Sequence, residues 1–195
     1  MDKQVQLAMA KWPNVPHCYG WLGLDARGAW RMRDQHAQES DLLGSKIANV
    51  ILRGFIDRNY QSDDAGRYFF QNGPQRVYVE LQSTPYIAHS DPQSGWVLHT
   101  GTALTNCDAV WMTSDGHLLL QSAAILAQVD DRDMVDAMAC VYLNDQPASD
   151  EQVLAWLENP HAGLTFRFQQ QSIPITLTSL TELAKTHPFV AHPQP

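Results

Sequence analysis

The feature that most constrains this chain is a series of short runs in which apolar and polar residues alternate, separated by residues that favour turns. Alternation with a period of two is typical of β-strands with one buried face, because successive side chains point to opposite sides. The clearest example is residues 67–81, "RYFFQNGPQRVYVEL". Its central Asn72-Gly73 pair favours a hairpin, because both residues tolerate a positive φ. We therefore predict two antiparallel strands around a tight turn.

The two faces of this predicted hairpin differ in chemistry. Val77, Val79 and Leu81 share one face and predict the buried side of a sheet. The opposite face carries the polar and aromatic side chains Arg67, Arg76, Tyr78 and Glu80. Core packing explains the order of the apolar face and leaves the role of the other face open.

An earlier stretch, residues 21–33, repeats the pattern as "WLGLDARGAWRMR" around the turn sequence "DARG". Arg31 and Arg33 follow the turn and alternate with apolar residues. Because residues i and i+2 of a strand lie on the same side, the two arginines are predicted to project together from the polar face of a second hairpin.

Residues 45–60, "SKIANVILRGFIDRNY", show helical spacing instead. Ser45 is the predicted N-cap. Apolar residues at three- and four-residue steps predict one buried stripe, formed by Ile47, Val50, Ile51 and Phe55. Residues 130–143, "DDRDMVDAMACVYL", predict another helix with an acidic start, and Ser149 with Gln152 predicts a capping box for a later one.

From residue 94 onward the chain returns to short strands separated by turns, with helices between some of them. The predicted fold class is α+β, with two small β-rich sub-domains of antiparallel hairpins, each packed by helices. A change in composition near residue 93 divides them. Residues 1–93 form the N-terminal hairpin–helix–hairpin module, and residues 94–195 form the C-terminal β-rich module with helices.

Charge limits the classes of partner. The formal net charge is −8, which argues against nucleic-acid binding, because phosphate contacts require a basic surface. The charge is unevenly placed, since residues 1–76 carry 10 Lys and Arg against 8 Asp and Glu, and residues 77–195 carry 3 against 13. The acidic second half is either a solvated surface or a face that docks a basic partner.

The cysteines and the hydropathy pattern predict a cytoplasmic location. The three cysteines are odd in number and lack CxxC spacing, so neither a disulfide framework nor a zinc knuckle is indicated. The N-terminal residues lack the basic and apolar segments of a signal peptide, and no apolar run reaches the ~20 residues that span a bilayer. We expect a protein with reduced thiols and no membrane partner.

The first part of the chain resembles known families. "KWPNVPHCYGWLGLDARGAWRMRD" and "FIDRNYQSDDAGRYFFQNGPQRVYVELQSTPYI" resemble an uncharacterised proteobacterial family of unknown function. The layout is also similar to a second uncharacterised bacterial family, numbered 1285 among the families of unknown function. The positions that carry this second resemblance are Pro16, Cys18, Gly20, Asp25, Gly28, Trp30, Asp64, Gly66, Tyr68, Pro85 and Tyr86. The resemblance implies an α+β fold of two related β-rich modules and no established activity, with a ligand-binding or signalling role suggested for the second family.

Common catalytic and metal motifs are absent from the sequence. It contains no GxSxG, GxxxxGK[ST], HExxH or GxGxxG pattern. The eight histidines include no i, i+4 helical pair, and "DDRDMVD" lacks the glycine and terminal glutamate of a calcium loop. Cys18 beside His17 suggests a nucleophile, but adjacent residues of a strand point to opposite faces, so a small core thiol is the favoured interpretation. We predict no catalytic residue, no metal ligand and no cofactor.

The arginines of the first half remain as the candidate site. Guanidinium groups bind carboxylates and phosphates through two parallel hydrogen bonds, and aromatic rings stack beneath them. The candidate ligand-binding residues are Arg31, Arg33, Arg58, Tyr60, Arg67, Arg76 and Tyr78. The simpler alternative is that these arginines are surface residues paired with the acids Asp34, Asp57, Asp63 and Glu80.

Three functions follow from these observations. The leading hypothesis is a non-enzymatic module that binds a small anionic ligand or acts in regulation or signalling. The second is a protein–protein adaptor whose acidic half docks a partner or a second copy of the chain. The third is an enzyme with an unfamiliar site near Cys18.

Overall fold

The computed structural model describes residues 1–195, which form two compact units. The first unit consists of Met1–Pro85 and Pro188–Pro195, and the second consists of Tyr86–His187. The sequence predicted a division near residue 93, and it predicted that the last residues belong to the second module. The structure differs because the strand that begins at Tyr86 pairs within the second unit, whereas the last residues return to the first.

Short helices and strands make up both units. The helices are α1 (Lys3–Lys11), α2 (Gln35–Glu39), α3 (Val50–Arg58), α4 (Met134–Met138), α5 (Asp150–Glu158) and α6 (Leu180–Thr186). The strands of the first unit are β1 (Cys18–Leu24), β2 (Trp30–Met32), β3 (Ser45–Lys46), β4 (Tyr60–Ser62), β5 (Tyr68–Asn72) and β6 (Gln75–Leu81). Those of the second are β7 (Tyr86–Asp91), β8 (Gly95–Leu98), β9 (Ala109–Thr113), β10 (Leu118–Ser122), β11 (Ile125–Val129), β12 (Val141–Leu143), β13 (Gln146–Pro147), β14 (Leu164–Phe168) and β15 (Gln171–Thr178). No helix combines the length and apolar character needed to cross a bilayer.

The first unit contains one six-stranded sheet in the order β3-β2-β1-β6-β5-β4. Both predicted hairpins are confirmed, since β1 pairs antiparallel with β2, and β5 pairs antiparallel with β6. The hairpins are joined by a parallel pairing in which Leu22 lies opposite Val79 and Leu24 lies opposite Leu81. The α+β class is confirmed, but the sheet is mixed, and each of its sides is shared by both hairpins.

One side of this sheet forms the core of the first unit. Its buried side chains include Leu22, Leu24, Trp30, Phe70, Val79 and Leu81. Phe55 of α3 packs edge-on against Phe70, with the ring centroids 5.3 Å apart. The apolar face predicted for residues 77–81 therefore belongs to a core that α3 covers.

The helix predicted over residues 45–60 begins later than expected. The side chain of Asn49 accepts a hydrogen bond from the Leu52 N–H at 3.0 Å, which makes Asn49 the N-cap of α3. Ser45 is not the cap, because it lies in β3 opposite Met32. Pairing along the edge of the sheet takes the place of one further helical turn.

The predicted buried stripe of this helix is wrong in part. Val50 and Ile51 are 69% and 84% exposed, although Ile47 and Ile56 are buried. The Ile47 N–H donates to the Trp30 carbonyl at 2.9 Å, so this residue extends the sheet pairing rather than the helix. The periodic pattern therefore spans two different elements.

The C-terminal segment Pro188–Pro195 completes the first unit. The Val190 N–H donates to the Gly66 carbonyl at 3.0 Å, and the Leu81 N–H donates to the Ala191 carbonyl at 2.9 Å. These bonds hold the segment between the ends of β5 and β6, where the two strands part. The next residue, His192, then lies over the end of β6 beside Glu80.

The second unit contains a nine-stranded mixed sheet in the order β13-β12-β14-β15-β9-β10-β11-β7-β8. β11 and β7 are parallel, as are β15 and β9. Trp156 of α5 and Phe166 of β14 are buried in its core. The capping box of Ser149 and Gln152 at the start of α5 is confirmed.

Residues 130–143 fold into three short elements instead of the single helix predicted. A 3-10 turn spans Asp131–Asp133, α4 follows it, and β12 begins at Val141. The Asp130 side chain accepts a hydrogen bond from the Arg132 N–H at 2.9 Å and so caps the turn. The acidic start of this segment is therefore a compact turn directly after β11.

Candidate functional site

The polar residues of both hairpins lie on the same side of the six-stranded sheet. Gly23 lies opposite Arg31 in β2 and opposite Glu80 in β6, so the three residues form one row across the sheet. A Cβ at position 23 would lie 3.5 Å from Cδ of Arg33. This is an ordinary van der Waals distance, so the Arg33 side chain lies directly over this row.

A cleft of about 220 Å³ opens above this row. We call it the arginine cleft, and its polar lining consists of Arg31, Arg33, Asp41, Glu80, Gln82 and His192. A wider depression of about 440 Å³ shares Arg33, Asp41, Glu80 and His192 with it. Polar residues from both hairpins, the loop after α2 and the C-terminal segment thus converge in one place.

Arg33 is the most enclosed cation of the cleft, with a side chain only 9% exposed. Its Nε donates to the Leu42 carbonyl at 2.9 Å, and its Nη2 donates to Oδ1 of Asp41 at 3.1 Å. Its Nη1 lies 3.6 Å from Oε2 of Glu80, which is longer than a direct hydrogen bond. The Asp41 side chain is 92% exposed, so an exposed acid neutralises a buried guanidinium.

Arg31 has a stronger partner. Its Nε and Nη2 both lie 2.7 Å from Oδ2 of Asp25. The other oxygen of Asp25 accepts the N–H groups of Arg27 and Ala29 at 3.0 and 2.8 Å, within the turn of the first hairpin. Arg31 therefore borders the cleft while its guanidinium is fixed to a buried carboxylate.

Glu80 connects the sheet to the C-terminal segment. Its Oε2 lies 2.8 Å from Nδ1 of His192, whose side chain is largely exposed. The carboxylate thus lies between the buried guanidinium of Arg33 and the imidazole of His192. The C-terminal segment forms one wall of the cleft.

Arg67 and Tyr78 lie farther along the same side of the sheet and do not line the cleft. Nε of Arg67 donates to Oδ2 of Asp63 at 2.9 Å, and the Tyr78 hydroxyl donates to the same oxygen at 3.0 Å. The Arg67 guanidinium lies 4.9 Å from the centroid of the Tyr78 ring, and the Tyr19 ring stacks on Tyr78 at 4.6 Å. Tyr78 is fully buried, so no surface is left for a ligand.

The other predicted site residues lie outside the cleft as well. The Arg76 guanidinium lies 4.5 Å from the centroid of the Phe69 ring. Arg58 pairs with Asp2 at 3.3 Å on an exposed surface, and the Tyr60 hydroxyl donates to the Pro85 carbonyl at 2.9 Å. Of the seven residues, Arg31 and Arg33 line the arginine cleft.

The expected pairing with acids is found in part. Asp63 pairs with Arg67, and Glu80 lies near Arg33. Asp34 instead caps α2 by accepting from the Ala37 N–H at 2.9 Å, and Asp57 accepts from Nε1 of Trp30 at 2.7 Å. Burial raises the pKa of Asp57 despite that hydrogen bond.

Cys18 has the surroundings of a packed thiol. It is half-buried in β1 opposite Val77, and burial raises the pKa of the thiol above its ordinary value. A raised pKa disfavours the thiolate, which is the nucleophilic form. The ring of the adjacent His17 packs edge-on against Tyr78, with the ring centroids 5.7 Å apart.

The sequence did not identify Asp41, Gln82 and His192 as site residues. Glu80 and His192 are 112 positions apart, and no local pattern indicates that the last residues return to β6. Asp41 follows α2 in a loop with a positive φ of 49°. A polar loop and a proline-rich tail give no signal of a shared cavity.

Comparison with known proteins gives a family and a fold. Residues 1–194 match the family model DUF2944, described as "Protein of unknown function (DUF2946)". A DUF1285 family protein from Silicibacter pomeroyi DSS-3 is similar, with a TM-score of 0.51 and 11% identity over 87% of this chain and 86% of that one. For a DUF1285 family protein from Shewanella baltica OS155, the TM-score is 0.41 and the identity 16%, over 60% and 88%. No curated protein matches the chain.

These matches confirm the resemblance to families of unknown function, including the one numbered 1285. At 11% identity, the Silicibacter structure supports the α+β fold and nothing further.

Proposed function

The chain belongs to the DUF2944 family of unknown function, and we propose that it is a non-enzymatic module that binds a small anionic ligand in the arginine cleft. One observation carries this proposal. The guanidinium of Arg33 is buried at the cleft, but its partner Asp41 is almost fully exposed to water. An ion pair with an exposed carboxylate contributes only ~0–1 kcal/mol, so an incoming anion can displace Asp41 easily.

The hydrogen bonds of Arg33 indicate which anions fit. Nη2 contacts the exposed Asp41, and Nη1 lies 3.6 Å from Glu80 without a direct hydrogen bond, so both nitrogens can donate to a ligand. Two terminal nitrogens bind a planar carboxylate, or two oxygens of a phosphate, through parallel hydrogen bonds. The cleft volume of about 220 Å³ is below the ~300–1,000 Å³ of pockets for drug-sized molecules, which favours a ligand of few heavy atoms.

Glu80 and His192 would give the cleft selectivity. Glu80 repels a second negative charge placed deeper in the cleft, and the largely exposed imidazole of His192 contacts the Glu80 carboxylate at 2.8 Å. We therefore expect anions with one accessible carboxylate or phosphate to bind better than polyanions.

Cytoplasmic location and the absence of catalysis are parts of the same proposal. The three cysteines are all free thiols, which is typical of a reducing compartment. The raised pKa of Cys18 gives no support to a nucleophile at that position. An adaptor role for the acidic second half stays a prediction.

The test measures the melting temperature of the full chain with acetate, succinate and inorganic phosphate, at ionic strength matched with chloride. We expect a concentration-dependent rise with at least one anion, because a ligand that binds only the folded state stabilises it. Arg33→Lys should abolish the rise, since lysine cannot make two parallel hydrogen bonds. The control Arg58→Lys changes an exposed arginine outside the cleft and should leave the rise intact.

Asp41→Asn keeps the proposal testable if Arg33→Lys does not fold. It removes the competing carboxylate and should strengthen anion binding about threefold or more. The proposal would be overturned if none of the three anions changed the melting temperature of the wild type or of Asp41→Asn.

A further inference from the structure

A histidine and two aspartates meet at one edge of the second unit. His89 lies in β7 and Asp130 directly follows β11, and these two strands are parallel, with Val129 opposite Ala88. The Asp130 N–H continues this pairing by donating to the Ala88 carbonyl at 2.9 Å. Because parallel strands run in the same direction, His89 and Asp130 lie side by side. The 3-10 turn that follows brings Asp133 back to the same place.

The three side chains present their donor atoms to one another. Nδ1 of His89 lies 3.2 Å from Oδ2 of Asp130 and 3.1 Å from Oδ2 of Asp133. All three atoms lie within 4.8 Å of one another. The hydroxyl of Ser90 lies 3.1 Å from the other oxygen of Asp133 and 2.6 Å from Oδ2 of Asp136, so it lies between these two carboxylates.

These separations fit a shared cation. Two ligand atoms that each lie about 2.1 Å from one zinc ion are about 3.0 Å apart at an octahedral angle and about 3.4 Å apart at a tetrahedral angle. Both observed N–O distances fall between these values. The two carboxylate oxygens lie within 4.8 Å of each other, so rotation of these side chains would bring both to one cation.

Burial distinguishes this group from an ordinary surface cluster of acids. The Asp130 side chain is 0% exposed, and those of His89 and Asp133 are about three-quarters buried. The backbone N–H and the guanidinium of Arg132 both donate hydrogen bonds to the Asp130 carboxylate. A buried carboxylate beside a second carboxylate is destabilised unless a positive charge lies close to both.

Arg132 supplies that charge in the structure. The Arg132 guanidinium contacts both oxygens of Asp130 from a side chain that is 59% exposed, so it can turn away into water. A cation would take the place of this guanidinium beside Asp130 and bind the Nδ1 lone pair of His89.

We propose that His89, Asp130 and Asp133 form a binding site for a divalent transition-metal cation of the Zn²⁺ type. One imidazole nitrogen and two carboxylate oxygens leave at least one coordination position for water or a ligand atom. The imidazole favours Zn²⁺ over Mg²⁺ and Ca²⁺, which prefer oxygen ligands alone. The site lies wholly in the second unit and is independent of the arginine cleft.

No sequence pattern indicates this site. Position 89 is far from 130 and 133, and the sequence predicted that the two aspartates begin a helix. The absence of HExxH and of a calcium loop excludes local motifs only. His89 reaches the two aspartates only because β7 pairs in parallel with β11, and this pairing joins residues distant in sequence.

The test is isothermal titration of the chelator-treated full chain with Zn²⁺ alone and with Mg²⁺ alone at neutral pH. We expect Zn²⁺ to bind with one-to-one stoichiometry and to raise the melting temperature, and Mg²⁺ to bind much more weakly. His89→Gln and Asp133→Asn should each weaken Zn²⁺ binding about tenfold or more. The control Glu158→Gln removes an exposed charge at the end of α5, outside the three donors, and should change binding less than about twofold.

Arg132→Gln provides a test in the opposite direction. It removes the guanidinium that competes for Asp130 and should strengthen Zn²⁺ binding about threefold or more. If His89→Gln does not fold, nuclear magnetic resonance of the wild type provides the test instead. Addition of Zn²⁺ should then shift the Nδ1 signal of the His89 imidazole. The proposal is overturned if Zn²⁺ gives no binding heat, or if it binds His89→Gln as tightly as the wild type.

Discussion

Two ends of the same side of the six-stranded sheet carry arginines in contrasting surroundings. At one end Arg33 pairs with Asp41, whose side chain is exposed to water. At the other end Arg67 pairs with Asp63, which is mostly buried and also accepts a hydrogen bond from Tyr78. An exposed carboxylate returns to water at little cost, whereas a buried one would be left without solvation if its cation moved away. Under the proposed function, the exposure of the acid determines which guanidinium an anion can reach.

The largest expected effect tests whether Arg33 holds its end of the sheet together. Arg33→Gln should lower the free energy of unfolding by about 3 kcal/mol, because the Leu42 carbonyl loses its donor and Glu80 loses a buried cation. Urea denaturation measures this loss. Arg58→Gln is the control and should change stability by less than about 0.5 kcal/mol. Equal losses in both variants would contradict the assigned role of burial.

The second effect concerns Asp63 at the other end. Asp63→Asn should destabilise the fold by about 2 kcal/mol at neutral pH, because the carboxylate accepts hydrogen bonds from Arg67 and Tyr78. Urea denaturation is again the measurement. A loss as small as that of Arg58→Gln would show that this buried acid is as dispensable as an exposed one.

The pH dependence of Asp63 gives an independent check. Burial raises the pKa of Asp63, but hydrogen bonds from Arg67 and Tyr78 outweigh it, so the folded pKa lies below the ordinary value of 3.8. A depressed folded pKa stabilises the protein above the unfolded pKa, and this stability is lost as the pH falls through 3.8 toward the folded value. The stability difference between the wild type and Asp63→Asn should therefore shrink between about pH 5 and pH 3. A constant difference would contradict the assignment.

Tyr78→Phe is expected to have a smaller effect. It removes one hydrogen bond to Asp63 and keeps the ring that stacks on Tyr19, so we expect a loss of about 1 kcal/mol. Chemical denaturation of this variant, of Asp63→Asn and of the double variant measures the coupling. If the stability losses of Tyr78→Phe and Asp63→Asn simply added in the double variant, the hydrogen bond between Tyr78 and Asp63 would not contribute to stability.

The smallest effect is expected for Arg76. Its guanidinium lies over the Phe69 ring, and Arg76→Gln should cost about 0.5 kcal/mol, the range of an exposed cation–π contact. Anion binding should be unchanged, because Arg76 does not line the cleft. If Arg76→Gln lost anion binding, the anion site would lie nearer the hairpin of β5 and β6 than the arginine cleft does.

Local patterns predicted the local structure well. Alternation and the Asn72-Gly73 turn gave the hairpin of β5 and β6, and the Ser149 capping box gave the start of α5. The helix over residues 45–60 was misplaced, because Asn49 is a good N-cap and the preceding residues pair with β2 instead. Helical spacing alone does not show where a strand gives way to a helix.

The candidate site was predicted only in part. Alternation placed Arg31 and Arg33 on one face, where both border the cleft. It grouped Tyr78 with them, but the rings of Tyr19 and Phe69 enclose that tyrosine. Pairing of β1 with β6 and the return of the C-terminal segment depend on contacts distant in sequence. These contacts decide which polar residues line a cavity and which are covered.

The most direct measurement is a nuclear magnetic resonance titration of the ¹⁵N-labelled chain, which follows the arginine side-chain N–H signals as succinate is added. The Arg33 signals should shift and saturate while those of Arg67 stay in place, and Asp41→Asn should reach saturation at a lower succinate concentration. If the Arg33 signals do not move, or if Arg33 and Arg67 shift alike and without saturation, the arginine cleft is not an anion site.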